Sequence, residues 1–249
     1  MTVLIKFDDY PLNEVSEWDD NVETRISETT VPRRHGTYHE ETFVYGSRKI
    51  SLRGTIFAAA WEDSRVILRD MKQRLSKGTK RLYFDDDEYI WATLQHFSYN
   101  HKAGYGQGKV VDFAASFICK DPFYYSTSST TVQDLYMLDG NTIEVTNNGN
   151  IETPPILTIT TTSLSTTGVT VTNTHADINQ YVKYAGNIIA AESLVIDHSE
   201  ATMKKDIVGV LNDFQGDFFK LGVGSNTLIV AYDSGAAISL TVQHTDRRI

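Results

Sequence analysis

Few residues in this sequence have the types and spacing that catalysis or metal binding requires. His39-Glu40-Glu41 begins like the zinc-binding motif of metalloproteases, but position 43 is Phe43, so the second histidine ligand is missing. Gly104-Tyr105-Gly106-Gln107-Gly108 is the nearest approach to a nucleotide-binding loop. It lacks the third-glycine spacing and any following helix pattern, so the sequence favours a flexible hairpin loop.

The remaining reactive side chains also fit ordinary structural roles. Asp85-Asp86-Asp87-Glu88 lacks the glycine and the distal glutamate of a calcium loop, which favours a solvated acidic turn over a cation site. Cys119 ends an apolar strand pattern, and this indicates a buried, inert thiol. Arg33-Arg34 is either an exposed loop pair or a contact for a phosphate or an acidic partner. The histidines lie apart from one another; the closest in sequence are His35 and His39, then His96 and His101.

We therefore assign no catalytic, cofactor-binding or metal-binding residue. The chain has no Gly-x-Ser-x-Gly elbow, no Walker A loop and no Gly-x-Gly-x-x-Gly run after a strand. These observations predict a protein that is not an enzyme and needs no cofactor.

Composition indicates a globular, soluble protein. The 249 residues are 41% hydrophobic and 22% charged, a balance that supports a sizeable core. The single cysteine, the absence of an apolar signal segment and the absence of a membrane span predict synthesis in a reducing compartment and no membrane insertion. The net charge of -9 disfavours nonspecific binding to nucleic acid or anionic membrane as the main role.

Charge also divides the chain into two halves. Up to Thr131 there are 17 Lys and Arg against 19 Asp and Glu, whereas the remainder has 6 against 13. The run Ser126-Thr127-Ser128-Ser129-Thr130-Thr131 has the composition of a linker. We predict two domains, residues 1–131 and 132–249.

The first half predicts strands around one helix. Period-2 alternation indicates a strand over Arg48–Ile56, a hairpin with arms at 82–84 and 89–94, and a further strand over Val110–Cys119. The spacing of Ile67, Leu68, Met71 and Leu75 predicts a helix that begins after an Asp63 or Ser64 N-cap and ends before Gly78. Its outer face carries Arg65, Arg69, Lys72 and Arg74.

The second half predicts a β-sandwich. Ser or Thr occupies 20 of the 49 positions from 126 to 174, and short β-rich segments alternate with turn signals. The predicted strands are 143–145, 156–159, 169–171, 193–197, 218–219 and 227–231. The fold class expected for the whole chain is mainly β: a β-sandwich-like N-terminal domain with one α-helix, followed by a galectin-like or jelly-roll β-sandwich.

The ordered set of these segments resembles one family, the siphophage distal tail proteins (Dit family). In the first half the resemblance lies in Ile50–Gly54, Gly78–Asp86 and Phe117–Tyr124; in the second half it lies in Asn147–Ile156, Leu194–Asp197 and Phe218–Asn226. It covers nearly the whole chain in the right order, and the second half is similar to the galectin-like sandwich of that family.

The resemblance implies structural work in a virion, at the tip of a long non-contractile tail. Family members form a homo-hexameric hub ring that joins the tail tube protein to the tail-tip, baseplate or fibre (tail-associated) protein and leaves a channel for DNA. Their N-terminal domains make the ring, and their outer domains hold receptor-binding proteins in some members. For this chain we add the hypothesis that some acids at Asp8-Asp9, Asp19-Asp20 and 85–88 face the channel.

The alternative is a carbohydrate-binding protein built on a jelly-roll module. Trp18, Trp61 and Trp91 are its candidate stacking platforms, but all three lie in the first half, away from the sandwich. Within the sandwich Tyr181, Tyr184 and Tyr232 could take that role, but packing is the commoner role of such tyrosines.

Overall fold

The computed structural model describes residues 5–25, 28–30, 37–39, 44–85, 87–102, 108–161, 165–175 and 180–249. The chain forms two compact units, which divide between Tyr124 and Tyr125. Composition alone places the boundary after Thr131, a few residues further along.

The first unit is an antiparallel sheet with a helix packed on it. Its strands are β1 (Ile5–Phe7), β2 (Tyr10–Pro11), β3 (Val15–Arg25), β4 (Glu28–Thr30), β5 (Thr37–His39), β6 (Val44–Phe57), β7 (Lys80–Phe84), β8 (Glu88–His101) and β9 (Val110–Cys119), and its helix is α1 (Trp61–Leu75). The main sheet has the order β2-β1-β7-β8-β9-β6-β3, while β4 pairs with β5. A short strand, β10 (Tyr124–Ser126), lies where the chain passes into the second unit.

Side-chain alternation builds the core of this unit as the sequence predicts. In β9 every second residue from Val111 to Cys119 is buried, and in β6 the buried set includes Ile50, Leu52 and Ile56. From α1, Leu68, Met71 and Leu75 pack into the same cluster. Gly78 adopts φ +86° after the helix, the left-handed conformation expected there.

The helix begins earlier than predicted. Its N-cap is Ala60, and the Asp63 carboxylate accepts a hydrogen bond from the Ala60 N–H at 3.1 Å, so Asp63 occupies the third helical position and closes the first turn. Ser64 points inward and is fully buried. Both residues are good N-caps by type, and this is why composition alone misplaces the helix start.

The second unit is a sandwich of two antiparallel sheets. Its strands are β11 (Thr130–Met137), β12 (Thr142–Asn147), β13 (Ile156–Thr161), β14 (Ser165–Asn173), β15 (Gln180–Ile189), β16 (Ser193–Asp197), β17 (Thr202–Lys205), β18 (Val208–Gly209), β19 (Phe214–Gly216), β20 (Gly224–Ala231), β21 (Ser234–Gly235), β22 (Ile238–His244) and β23 (Arg247–Arg248). One sheet has the order β11-β22-β13-β16-β17-β18 and the other β12-β20-β14-β15-β19, with β21 paired to β14. The buried faces of both contribute to one hydrophobic cluster.

These observations confirm the mainly-β fold class with one helix among the described residues. One predicted strand is wrong: Phe218-Phe219 lies in an irregular segment. Phe219 is buried, and its N–H donates to the His198 side chain at 2.9 Å instead of to a neighbouring strand. Its hydrophobicity therefore reflects burial and not strand formation.

Candidate interaction site

Cys119, the one thiol of the chain, has no environment that would activate it. It is fully buried at the end of β9, and burial raises its pKa to about 12. Arg48 lies close enough to oppose this shift, but desolvation is the larger effect. The thiol is therefore protonated at neutral pH and unreactive, as the sequence indicates.

The other sequence candidates do not assemble into a reactive centre. Asp85 and Glu88 lie at the turn between β7 and β8, where Phe84 pairs with Glu88. In the described part of the chain no three His, Cys, Asp or Glu side chains are grouped so as to hold a metal ion. The segments 31–36, 40–43 and 103–107, with Arg33-Arg34, most of the His39-Glu40-Glu41 motif and most of the glycine-rich run, lie outside the described residues, as does Asp86.

A groove runs along the outer side of α1 in the first unit. We call it the α1 groove; it has a volume of about 1080 Å³. Its apolar part consists of Trp61, Val66 and Tyr99, of which Trp61 is 41% and Tyr99 54% exposed. Large aromatic side chains that remain exposed beside a groove are typical of surfaces that bind another protein.

The same groove carries a surplus of positive charge. Arg65, Arg69 and Lys72 line it, against the single carboxylate of Glu62. The Arg65 guanidinium stacks over the Trp61 ring at 4.8 Å, a cation–π contact that leaves its charge unneutralised. By contrast Arg74, which the sequence also places on the outer face, pairs with Asp70 and stacks over Tyr10. The α1 groove is therefore suited to an acidic partner.

The segment that follows β8 packs against the start of α1 at Trp61 and Ser64. The buried Ser64 hydroxyl lies 2.7 Å from the Trp61 carbonyl oxygen and 3.2 Å from that of Gly108. Gly108 has φ +84°, and a Cβ added there would lie 2.4 Å from Trp61 Cδ1. Glycine at 108 is thus required both by the backbone conformation and by the close approach of the indole.

A second surface lies at the far edge of the same sheet, on strand β3. Among the described residues β3 pairs only with β6, and its outer residues include Glu17, Trp18 and Asp19. Trp18 is 45% exposed although its ring packs on Phe84 at 5.0 Å. These three residues line a shallow depression together with Ser51 and Arg53.

Asp20, the next residue of β3, takes part in a buried network of polar contacts with Arg48 and Tyr124. Its carboxylate pairs with Arg48, which is only 3% exposed, and accepts a hydrogen bond from the Tyr124 hydroxyl at 2.8 Å. Arg48 also donates to the Pro122 carbonyl at 2.8 Å. Asp20 and Arg48 together therefore connect β3, β6, Pro122 and the first residue of β10.

The tyrosines considered as sugar-stacking platforms have different environments. Tyr184 is buried in the sandwich core, Tyr232 is half-buried and Tyr181 is exposed. In the first unit, Trp91 lies beside Tyr89 and under the Arg81 guanidinium, which is 5.2 Å from its ring.

No described helix is both long and apolar enough to cross a membrane.

Comparison with known proteins shows which family part of the sequence matches and which solved structures are similar in fold. Residues 148–247 match the family described as siphovirus-type tail component, C-terminal domain. The chain is also similar in fold to the phage SPP1 Dit protein (gp 19.1), described as a paradigm of the hub adsorption apparatus in phages that infect Gram-positive bacteria. That likeness covers 100% of both chains with a TM-score of 0.80 at 13% identity.

Together these two findings confirm the resemblance to siphophage distal tail proteins. The chain of a phage P2 baseplate structure in its activated conformation gives a TM-score of 0.46 at 9% identity, covering 96% of this chain and 90% of that one. A chain of a gene transfer agent virion gives a TM-score of 0.34 at 17% identity, and the match covers 51% of this chain and 96% of that one. Scores this low do not establish a shared fold. No curated protein matches the sequence.

The sequence predicts only part of the α1 groove. Helical spacing identifies Arg65, Arg69 and Lys72 as one exposed face, which the structure confirms. The aromatic wall is not predicted, because Tyr99 joins Trp61 only through the packing of α1 beside the end of β8. The one local feature of the sequence that relates to the aromatic wall is Gly108, whose conformation and small size allow the close contact with Trp61.

Proposed function

We propose that this chain is the distal tail hub protein of a phage with a long non-contractile tail. In this proposal six copies form a closed ring that joins the tail tube to the tail tip, baseplate or fibre and leaves a channel through which DNA passes. The observation that carries the proposal is the full-length likeness to the SPP1 hub protein, combined with the tail-component domain at 148–247.

The surfaces of the first unit support a ring. A ring closes when each copy presents two different, complementary surfaces and the contact between them repeats head to tail. The first unit has an exposed groove on α1 and an open sheet edge at β3. Closure would also cover edge strands, which otherwise promote aggregation.

Native mass spectrometry of the full-length protein, over a concentration series, tests this function. We expect a hexamer, and negative-stain electron microscopy should show rings with an open centre. A protein that stays monomeric at the highest concentration contradicts the proposal. A monomer that is retained on an immobilised oligosaccharide column would favour the carbohydrate-binding alternative.

We further propose that ring formation belongs to the first domain, with the boundary in the segment 126–131. Limited proteolysis should cut there before it cuts either core, because the Ser- and Thr-rich segment has little buried side-chain surface. A fragment of residues 1–125 should still form rings. If that fragment folds but stays monomeric, the proposed division of labour is wrong.

A further inference from the structure

The α1 groove has the residue composition of a binding hot spot. Its positive charges outnumber the carboxylates that could neutralise them. Trp, Tyr and Arg are the residue types that contribute most to protein–protein binding, and here Trp61, Tyr99 and Arg65 adjoin one another. The Trp61 indole packs closely against Gly108, which restricts its movement, so less conformational entropy is lost when it is covered. Neither Arg69 nor Lys72 has a carboxylate partner among the described residues.

The β3 edge has the opposite charge. Glu17 and Asp19 are two carboxylates without an ion-pair partner in the described part of the chain, and Arg53 is the cation that lines the depression with them. Trp18 projects from the same edge with nearly half of its surface exposed. This surface offers an apolar ring flanked by acids, whereas the α1 groove offers aromatic rings flanked by bases.

We propose that the β3 edge of one copy docks into the α1 groove of a second copy. The groove carries three cations and one carboxylate, and the edge carries the carboxylates of Glu17 and Asp19 beside Arg53, so the two surfaces differ in the sign of their charge and complement each other. Because the surfaces are different, the contact is heterologous, and repetition generates a ring or a filament and not a closed dimer. The inference rests on the proposed hub ring and specifies which surfaces form it.

Cysteine cross-linking between two single variants tests the contact directly. Val66→Cys places a thiol in the groove, and Asp19→Cys places one on the edge. A heterologous contact predicts that a short bis-maleimide linker gives cross-linked dimers only when the two variants are mixed, because neither surface meets its own copy. Cys119 does not interfere, since it is buried and protonated. Val66→Cys mixed with Ile207→Cys, a fully exposed site in the second unit, is the control and should give none.

A charge exchange provides the second test. Arg69→Glu with Lys72→Glu should weaken assembly by roughly tenfold or more in protein concentration, because like charges then meet across the contact. Mixing this variant with a Glu17→Lys, Asp19→Lys variant should restore assembly. Lys120→Glu with Lys204→Glu changes net charge equally at exposed positions outside both surfaces and should assemble like the wild type.

The outcomes separate this contact from the ring itself. If the wild type forms hexamers, while the groove variant assembles equally well and the mixed cysteine variants do not cross-link, the ring stands and this contact is wrong. If self-linking occurs in the Val66→Cys variant alone, the contact is isologous, which also overturns it. If the wild type forms no assembly at any concentration, both the hub ring and this contact are refuted.

Discussion

Among single residues, the histidine with the clearest physical consequence is His198, which follows β16 in the second unit. It is 7% exposed, its ring lies against Phe219 at 4.2 Å between centroids, and its Nδ1 accepts the Phe219 N–H. Burial lowers its pKa to about 4, against a smaller raising effect of Asp197. His198 is therefore neutral in the folded protein, with its proton on Nε2.

This pKa makes the second unit acid-sensitive. The folded-state pKa lies below the unfolded value of about 6.5. The contribution of His198 to the free energy of unfolding is therefore fully present above pH 6.5. It is lost as the pH drops towards 4, by about 3 kcal/mol in all. His198→Gln, whose amide oxygen can still accept the Phe219 N–H, should flatten this dependence. Denaturant unfolding at pH 7, 6, 5 and 4.5 measures it, with exposed His96→Gln as the control. Equal pH slopes in wild type and His198→Gln would contradict the prediction.

Asn226 is a second residue whose role is structural. It is fully buried; its amide donates to the Gly222 and Gly224 carbonyls at 2.9 and 3.0 Å and accepts from the Gly222 N–H at 2.8 Å. Asn226→Ala should lower the free energy of unfolding by about 2–4 kcal/mol, because buried backbone groups lose their partners. Thermal denaturation measures the loss. Asn212→Ala, on the exposed surface, should leave the melting temperature nearly unchanged.

At the scale of elements, Gly108 packs closely against Trp61, the first residue of α1. Gly108→Ala would place a methyl group against the indole and force a positive φ on alanine, so we expect a loss of about 1–3 kcal/mol and a displaced Trp61. Chemical denaturation and tryptophan fluorescence report the two effects. Gly140→Ala also carries a positive φ but meets no atom within 4 Å, and it should cost less and leave the fluorescence unchanged. Equal losses in both variants would show that backbone strain alone is responsible.

Elements with clear periodicity were predictable from the sequence, and those set by distant contacts were not. Strands β9 and β16 have the bounds that alternation predicts, because each buries every second side chain. The start of α1 was misplaced because Asp63 and Ser64 are both N-caps by type, and only the inward turn of Ser64 towards Gly108 distinguishes them. Phe219 was assigned to a strand because no local pattern shows that His198 accepts its N–H.

For the whole molecule, the ion pairs of the first unit decide which acids are available to line the proposed channel. Asp20 is neutralised by Arg48, and Asp8 lies 3.3 Å from the Lys80 ammonium group. Asp19 belongs to the proposed contact between copies. Among the described residues this leaves Asp9, Asp85, Asp87 and Glu88. Asp85 and Glu88 have interactions of their own, so the exposed Asp9 and Asp87 are the positions to test.

A channel that passes DNA quickly should bind it weakly. Each Lys or Arg on the wall would release counterions on contact with phosphate and add salt-dependent affinity, whereas acids add none. We expect the wild-type ring not to bind duplex DNA at physiological salt. Asp9→Lys with Asp87→Lys should create binding that weakens steeply with salt, because a ring repeats each change in every copy. Gel-shift titrations measure this, with Glu200→Lys and Asp213→Lys in the second unit as a control of equal net charge. Tight DNA binding by the wild-type ring, or equal binding by both lysine variants, would place these acids away from the channel.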